Sequence, residues 1–219
     1  NMAVLKPQHI EEKNLKNINN IKELLNEISM NDGDKNISKC IFQNESYENI
    51  FFKDYELEKC VIKAFEIKDS EIIKNEFTDI VFENCNFLNN TFEGCSFIRC
   101  EFKNCKMVGS IFLECNFNNV KFDTNKMDLS NFISSTLGNM RFVDVSLKSS
   151  IFQENILKNV EFENCDCSNI QFLKTSLKGI DISTCNIAGI LIAPEDIKGA
   201  YIANMQSLDI VHLLGVKFK

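Results

Sequence analysis

The sequence contains no tryptophan, only two prolines and only two histidines among its 219 residues. The histidines, His9 and His212, are far apart in the chain, so they predict neither a histidine-based catalytic pair nor a histidine metal cluster. The sequence also lacks a phosphate-binding loop, a zinc-protease helix motif and a nucleophile elbow. We therefore expect a protein that is not an enzyme and that uses no metal or cofactor.

Long hydrophobic runs and a surplus of basic residues are missing as well. No apolar stretch approaches the length of a membrane helix. The segment from Met2 to Leu5 is followed at once by Lys6 and Pro7, which is unlike a signal peptide. The formal net charge is −7, which disfavours binding to nucleic acid or to an anionic membrane through a basic face. The expectation is a cytoplasmic protein without direct nucleic-acid or membrane contact.

What the sequence does contain is a hydrophobic residue at every fifth position from Ile37 to Ile202. We call these residues the centres, and only Tyr47 and Cys167 among them are not plainly apolar. Neither the period of about 3.6 of a helix nor the period of about 2 of a strand produces this pattern. A fixed repeat of this kind predicts a solenoid, in which each repeat buries its apolar side chain by stacking on the next.

The ten cysteines follow the phase of the repeat, which argues against disulfides and zinc. Nine lie two residues before a centre, and Cys167 is itself a centre. Both positions face the interior if they alternate as in a strand. The run Cys95, Cys100, Cys105 has gaps of four residues, unlike the shorter gaps of zinc knuckles. We expect the cysteines to pack as small buried hydrophobic residues.

Longer periods predict the number of sides of the coil. From Phe102 to Phe172, phenylalanine returns at every tenth residue, so alternate sides carry the ring. One set of polar residues at centre minus two recurs at a spacing of twenty: Ser70, Asn90, Ser110, Ser130 and Ser150. Sides that differ at twenty residues predict four five-residue sides per turn, with like residues stacked in adjacent coils. Polar inward residues are then expected to hydrogen-bond to one another and to the backbone between coils.

The corners and the outer surface fit the same arrangement. Asparagine and glycine are frequent two residues after a centre, where the chain has to turn. Between positions 37 and 202, every Asp and Glu except Glu45 and Glu195 lies at a predicted outward position.

Three consecutive motifs carry a family resemblance: Phe-Glu-Asn-Cys-Asn at 82–86, Phe-Glu-Gly-Cys-Ser at 92–96 and Phe-Lys-Asn-Cys-Lys at 102–106. They resemble the repeats of pentapeptide repeat proteins, and the resemblance covers about residues 37–204. It implies an all-β fold, a right-handed quadrilateral β-helix with short helices at its N- and C-terminal ends. About eight coils are expected, which gives a rod about 40 Å long at ~4.8 Å per coil.

The ends of such a rod expose unpaired backbone and require caps. Residues 1–36 are predicted to form an N-terminal helical cap or extension, 37–204 the repeat β-helix, and 205–219 a C-terminal helix and short strand. The N-terminal helix is expected over residues 17–30, with Asn17 or Asn20 as its N-cap. A helix that binds a partner is the alternative to a cap.

The predicted C-terminal helix, residues 205–214, is apolar on two sides, and one rod end can cover only one of them. The sequence therefore predicts a homodimer through this end. The predicted interface residues are Leu208, Ile210, Val211, Leu214, Val216 and Phe218.

The C-terminal sequence carries a second resemblance. The segment 181–190, Asp196-Ile-Lys-Gly, Gln206 and the segment 213–217 are similar to the end of Qnr-type quinolone-resistance proteins. This implies a dimeric rod that mimics DNA and engages DNA gyrase or topoisomerase IV, with fluoroquinolone resistance as a consequence. The alternative is a non-catalytic scaffold or interaction rod with an unrelated protein partner, whose acidity serves only solubility.

Overall fold

The computed structural model describes residues 4–8, 10–30, 35–213 and 215. Within them the chain winds into a four-sided coil, in which the strand residues of the repeats pair in parallel register with the residues twenty positions later. The coil makes about nine turns. This is one more than predicted, because Lys16–Ile18 pairs with Cys40–Gln43 and begins a turn ahead of the repeats. The predicted quadrilateral β-solenoid is confirmed.

We number the four sides of the coil in chain order, starting from the side that holds Ile37. Faces 1 and 2 share a 12-stranded sheet, and face 4 is an 8-stranded sheet. Face 3 has one strand pair, Ser46–Glu48 with Glu66–Lys68, followed by single bridges. Faces 2 and 4 lie on opposite sides of the rod.

The strand bounds follow the repeat. Face 1 consists of Asn36–Ser38, Glu56–Glu58, Glu76–Thr78 and Ser96–Ile98. Face 2 consists of Lys16–Ile18, Cys40–Gln43, Val61–Lys63, Val81–Glu83 and Glu101–Lys103. Three longer strands turn the corner from face 1 to face 2: Asn116–Asp123, Thr136–Val143 and Ile156–Glu163. Face 4 consists of Phe51–Lys53, Glu71–Ile73, Thr91–Glu93, Ile111–Leu113, Asn131–Ile133, Ile151–Gln153, Gln171–Leu173 and Leu191–Ile192.

The centres fill the interior of the rod. Their phenylalanine rings stack from coil to coil, with centroids 4.7 Å apart for Phe102 and Phe122 on face 2 and for Phe112 and Phe132 on face 4. The ten-residue period of phenylalanine therefore places two ring ladders on opposite faces, as a four-sided coil requires. Offset or tilted ring contacts of this kind add to the stabilisation from burial alone.

Inward polar residues are satisfied between coils, as predicted. The Oδ1 of Asn75 accepts the Tyr55 N–H at 2.8 Å, and its Nδ2 donates to the Phe52 carbonyl at 2.8 Å. The hydroxyls of Ser130 and Ser150 lie 3.2 Å apart. These bonds cancel most of the cost of burying polar groups.

The corners adopt left-handed backbone conformations. Two residues after each centre, from Lys39 to Gly179, φ lies between 45° and 78°. Asparagine and glycine suit this geometry, but Leu129 adopts it as well, with φ of 61°. The hydrogen bonds of the adjacent coils hold such residues in place despite the local strain.

The N-terminal helix, Ile21–Met30, packs on the first coil and begins four residues later than predicted. Asn20 is the N-cap, since its Oδ1 accepts the Glu23 N–H at 3.2 Å. Residues 16–18 form a strand instead of the first helical turn because pairing with Cys40–Gln43 satisfies their backbone. A short 3₁₀ helix, Glu12–Asn14, precedes this strand.

Glu45 and Tyr47, two exceptions to the repeat pattern, meet beneath this helix. The Oε2 of Glu45 accepts the Ile21 N–H at 2.9 Å and also the Tyr47 hydroxyl. Burial and the neighbouring Glu45 carboxylate raise the pKa of Tyr47 to about 12. The two residues that depart from the repeat pattern thus form the contact that holds the helix on the rod.

At the other end, a helical turn, Pro194–Ile197, is followed by a 3₁₀ helix, Asn204–Gln206, and by the α-helix Ser207–His212. The Nε2 of buried Gln206 donates to the carbonyls of Ile182 and Cys185 at 2.8 and 2.7 Å. Gln206 therefore ties the terminal helix to the last coils. The predicted strand at 216–218 lies outside the described residues.

Candidate functional site

Within the described part of the chain, the interior of the rod offers no room for a substrate. A cavity of about 50 Å³ lies beneath the N-terminal helix, lined by apolar side chains that include Ile21, Leu25 and Phe42. Ligand pockets are usually several hundred Å³. Among the described residues, the candidates for binding are therefore on the outer surface.

The cysteines lie in the interior of the rod, and Cys100 is held there in unreactive surroundings. All ten cysteines are free and buried, as the phase of the repeat predicted. Desolvation raises the pKa of Cys100 to about 12, and its Sγ donates to the Phe77 carbonyl at 3.3 Å. A thiol in this state is a poor nucleophile and a poor metal ligand.

Other chemical groups are sparse among the described residues. Within these residues, no group of three or more His, Cys, Asp or Glu side chains is arranged to hold a metal ion. His212 is exposed at the C-terminal end, and His9 lies outside the described part of the chain. None of the described helices is long and apolar enough to cross a membrane.

An N-terminal strap, residues 4–8 and 10–15, runs along the corner between faces 1 and 2. The Leu5 N–H donates to Asn119 Oδ1 at 3.1 Å, and the Gln8 N–H donates to Asp79 Oδ1 at 3.0 Å. Glu12 forms a 2.6 Å ion pair with Lys63. The strap thus covers one corner of the rod and leaves the opposite corner free.

Asp79, which accepts a hydrogen bond from the Gln8 N–H of the strap, also forms an ion pair with Arg99. Its carboxylate accepts two hydrogen bonds from the Arg99 guanidinium, at 2.7 and 2.8 Å. Burial alone would raise the pKa of Asp79, but the hydrogen bonds from Arg99 and from the Gln8 N–H lower it below the usual value. Asp79 is therefore charged at neutral pH.

The outer surface of face 2 is dominated by charge. We define the charged patch as the ten outward side chains on the five coils from Glu101 to Ser183, at the positions flanking each centre. Eight of the ten are charged: Glu101, Lys103, Lys121, Asp123, Arg141, Glu161, Glu163 and Asp181. Many are paired, since Arg141 lies 2.9 Å from Glu161 and 2.6 Å from Glu163.

The outer surface of face 4 has the opposite character. We define the neutral patch as the ten outward side chains on the five coils from Ile111 to Ala193. It consists of Ile111, Leu113, Asn131, Ile133, Ile151, Gln153, Gln171, Leu173, Leu191 and Ala193, none of which is charged. All of them are at least partly exposed. In the sequence, this patch is visible as uncharged residues at outward positions twenty residues apart. The five-residue repeat alone does not distinguish one face from another.

The predicted dimer residues lie at the C-terminal end of the rod. Leu208 is 58% exposed, whereas Ile210 is partly buried against the core. Val211 is partly buried, and Leu214, Val216 and Phe218 lie outside the described residues. Three further apolar side chains are exposed near Leu208: Tyr201, Ile202 and Met205.

Comparison with known proteins identifies the repeat. Residues 75–152 match the family model described as a pentapeptide repeat region. No curated protein matches the chain.

Two solved structures are reported as similar to this chain. A trypsin-treated variant of QnrB1, a plasmid-mediated fluoroquinolone resistance protein, has a TM-score of 0.48 and 14% identity, covering 82% of this chain and 91% of that chain. HetL, a pentapeptide repeat protein involved in heterocyst differentiation regulation from the cyanobacterium Nostoc sp. strain PCC 7120, has a TM-score of 0.42 and 11% identity. That match covers 85% of this chain and 98% of HetL. At these TM-scores and identities, we do not infer the function of this chain from either protein.

The uninterrupted five-residue phase, the four-sided coil with its left-handed corners, and the family match within it agree, and residues 75–152 form a pentapeptide repeat region.

Proposed function

We propose that this protein is a non-catalytic, DNA-mimicking rod that binds a type II topoisomerase, DNA gyrase or topoisomerase IV, and thereby confers fluoroquinolone resistance. The observation that carries the proposal is the filled interior, which restricts function to the outer surface of an acidic rod. The topoisomerase is named on the resemblance of the C-terminal sequence to Qnr-type proteins. In that segment, Gln206 closes the last coils, so the resemblance includes a residue with a structural role.

A gyrase supercoiling assay with and without a fluoroquinolone tests the proposal. We expect added protein at micromolar concentration to change supercoiling or to relieve inhibition by the drug. Because mimicry depends on charge, raising the salt concentration should weaken the association strongly. No change in supercoiling and no relief from the drug would contradict the proposal.

A second candidate function is an interaction rod with an unrelated protein partner. The ion pairs of the charged patch favour it, because Arg141, Lys103 and Lys121 neutralise neighbouring acids. Duplex DNA, by contrast, carries one negative charge per ~1.7 Å of axis. Under this candidate the protein has no effect on the topoisomerase, and its association with a partner depends little on salt.

We also propose that the protein forms a homodimer through its C-terminal end. Leu208 and Met205, which are 58% and 85% exposed, provide the apolar surface that such a contact needs. Sedimentation at micromolar concentration should give twice the monomer mass of 25.1 kDa. Leu208→Lys should give monomers, whereas Leu129→Lys, at an exposed corner of the side faces, should leave the dimer intact. A wild-type monomer would contradict the proposal.

A further inference from the structure

The neutral patch is unusual for a chain in which 25% of residues are charged. Its ten outward positions carry seven apolar side chains and three amides. The corner that leads into it adds Leu129, which is 56% exposed. These partly exposed apolar side chains, on a protein otherwise rich in charge, make the face a candidate interaction site.

The dimensions of the patch fit one helix. Five coils at ~4.8 Å give a length of about 24 Å, and a three-residue strand gives a width of about 10 Å. An α-helix is about 10 Å in diameter, and 24 Å corresponds to about 16 residues. The product, about 240 Å², is far below the ~800 Å² per partner of a standard protein interface. The patch is therefore too small to hold a second rod by itself.

The apolar side chains also recur at a helical spacing. In the column before the centres, Ile111, Ile151 and Leu191 alternate with Asn131 and Gln171 in parallel register. Apolar groups therefore return at every second coil, about 9.6 Å. Two turns of an α-helix rise about 10.8 Å, so helix residues about seven positions apart, on a helix lying along the rod, meet successive apolar residues of the column.

The edges of the patch differ in charge. Glu93 and Glu114 border its N-terminal edge, and no ion pair joins either of them to a base within the described residues. At a later corner Glu154 is paired with Lys174 at 2.8 Å. Unpaired acids at one edge favour basic side chains, or the positive end of a helix, at that edge.

We propose that the neutral patch is the docking surface for one amphipathic helix of a protein partner. The helix lies along the rod axis, with an uncharged apolar stripe on Ile111, Ile133, Ile151 and Leu173 and a basic N-terminal turn over Glu93 and Glu114. The inference rests on the proposed function only in requiring that the rod acts by binding proteins. It assigns the apolar contact to face 4, away from the charged patch.

A synthetic helical peptide of 16 residues tests the inference. The labelled probe carries leucines at alternating spacings of three and four, lysines in its first turn, and alanine and glutamine elsewhere. Binding is measured by fluorescence anisotropy at about 0.15 M salt. A scrambled peptide of the same composition controls for amphipathicity, and a peptide with glutamates in the first turn controls for orientation. We expect the probe to bind at least about tenfold more tightly than either control peptide.

Matched variants of the protein locate the contact. The double variant Ile133→Lys with Ile151→Lys should weaken probe binding at least about tenfold, and Val143→Lys on the charged patch should leave it unchanged. Thermal unfolding followed by circular dichroism verifies that both variants keep the fold. Equal binding of the scrambled peptide, or full binding by the double variant, would overturn the inference. The inference would also be overturned if the wild type and Val143→Lys were dimers and the double variant were a monomer. The neutral patch would then be occupied by a second copy of the chain.

The supercoiling assay separates this inference from the proposed function. If the probe does not bind but the protein still affects the topoisomerase, only the helix-docking inference fails. If the probe binds and the topoisomerase is unaffected, only the named partner fails.

Discussion

The charged patch and the neutral patch lie on opposite sides of the same five coils, and their interiors are almost the same. Beneath each runs a ladder of buried phenylalanines, including Phe122 and Phe142 on face 2 and Phe132 and Phe152 on face 4. Outside, eight of ten side chains are charged on one face and none on the other. Because coil closure requires the inward residues and not the outward ones, the fold itself does not impose the difference between the two faces.

The largest expected effect tests the equivalence of the two interiors. Phe122→Ala and Phe132→Ala each remove a fully buried ring and should lower the free energy of unfolding by about 3–5 kcal/mol. The two losses should agree within about 1 kcal/mol, because both rings stack between neighbours at similar distances. Urea unfolding measures both. A much smaller loss on one face would show that its ladder is not a structural equivalent of the other.

The next effect concerns the strap, which borders face 2 and is absent from the described surface of face 4. Asp79→Ala should lower the free energy of unfolding by about 2 kcal/mol at neutral pH. This is less than the ~3–5 kcal/mol for breaking a fully buried pair, because the Arg99 side chain is 29% exposed and can be hydrated. Asp144→Ala, at an exposed corner with φ of 53°, is the matched control and should cost less.

The same pair predicts a pH dependence. The folded-state pKa of Asp79 lies below its usual value, so its contribution is fully present above the unfolded pKa of about 3.9 and is lost as pH falls through the folded pKa. Urea unfolding at about pH 7 and about pH 3 should therefore show a smaller difference between wild type and Asp79→Asn at the lower pH. A difference that grows on acidification would contradict the assigned role of the ion pair.

The recurrence of a hydrophobic residue at every fifth position was enough to predict most of the fold. Ile37 to Ile192 alternate with small inward residues because a strand-like backbone buries every second side chain, and burial follows that phase. The strap was not predicted, since its hydrogen bonds to Asn119 and Asp79 are not part of the five-residue repeat. Glu45 and Tyr47 stood out in the sequence as exceptions, but only the position of the helix explains them.

The candidate surfaces were harder to predict. The neutral patch emerges only when outward residues are sorted at spacing twenty, because at spacing five its Ile133 and Leu173 alternate with the charges of the other faces. The apolar C-terminal residues were recognised from composition, but Ile210 packs on the core while Leu208 faces solvent. Which side of a short helix is covered depends on tertiary contacts that periodicity does not specify.

The smallest effects are expected from the outer surface itself. Arg141→Ala on the charged patch should change the free energy of unfolding by at most about 1 kcal/mol, because surface ion pairs contribute little. Ile133→Lys on the neutral patch should change it by no more than about 0.5 kcal/mol. Urea unfolding provides both values. A loss of several kcal/mol from Ile133→Lys would mean that the neutral patch stabilises the fold and is not free for a partner.

We extend the proposed function by placing the topoisomerase contact on the acids of the charged patch, and a crossed binding experiment tests most directly whether the two faces have separate roles. One double variant replaces Glu161 and Glu163 with glutamine. The other replaces Ile133 and Ile151 with lysine. Each variant is assayed for its effect on gyrase supercoiling and for binding of the amphipathic peptide. We predict that the glutamine variant loses the effect on gyrase and keeps the peptide, while the lysine variant does the reverse. Loss of both activities in either variant would contradict the account. So would retention of both activities by both variants.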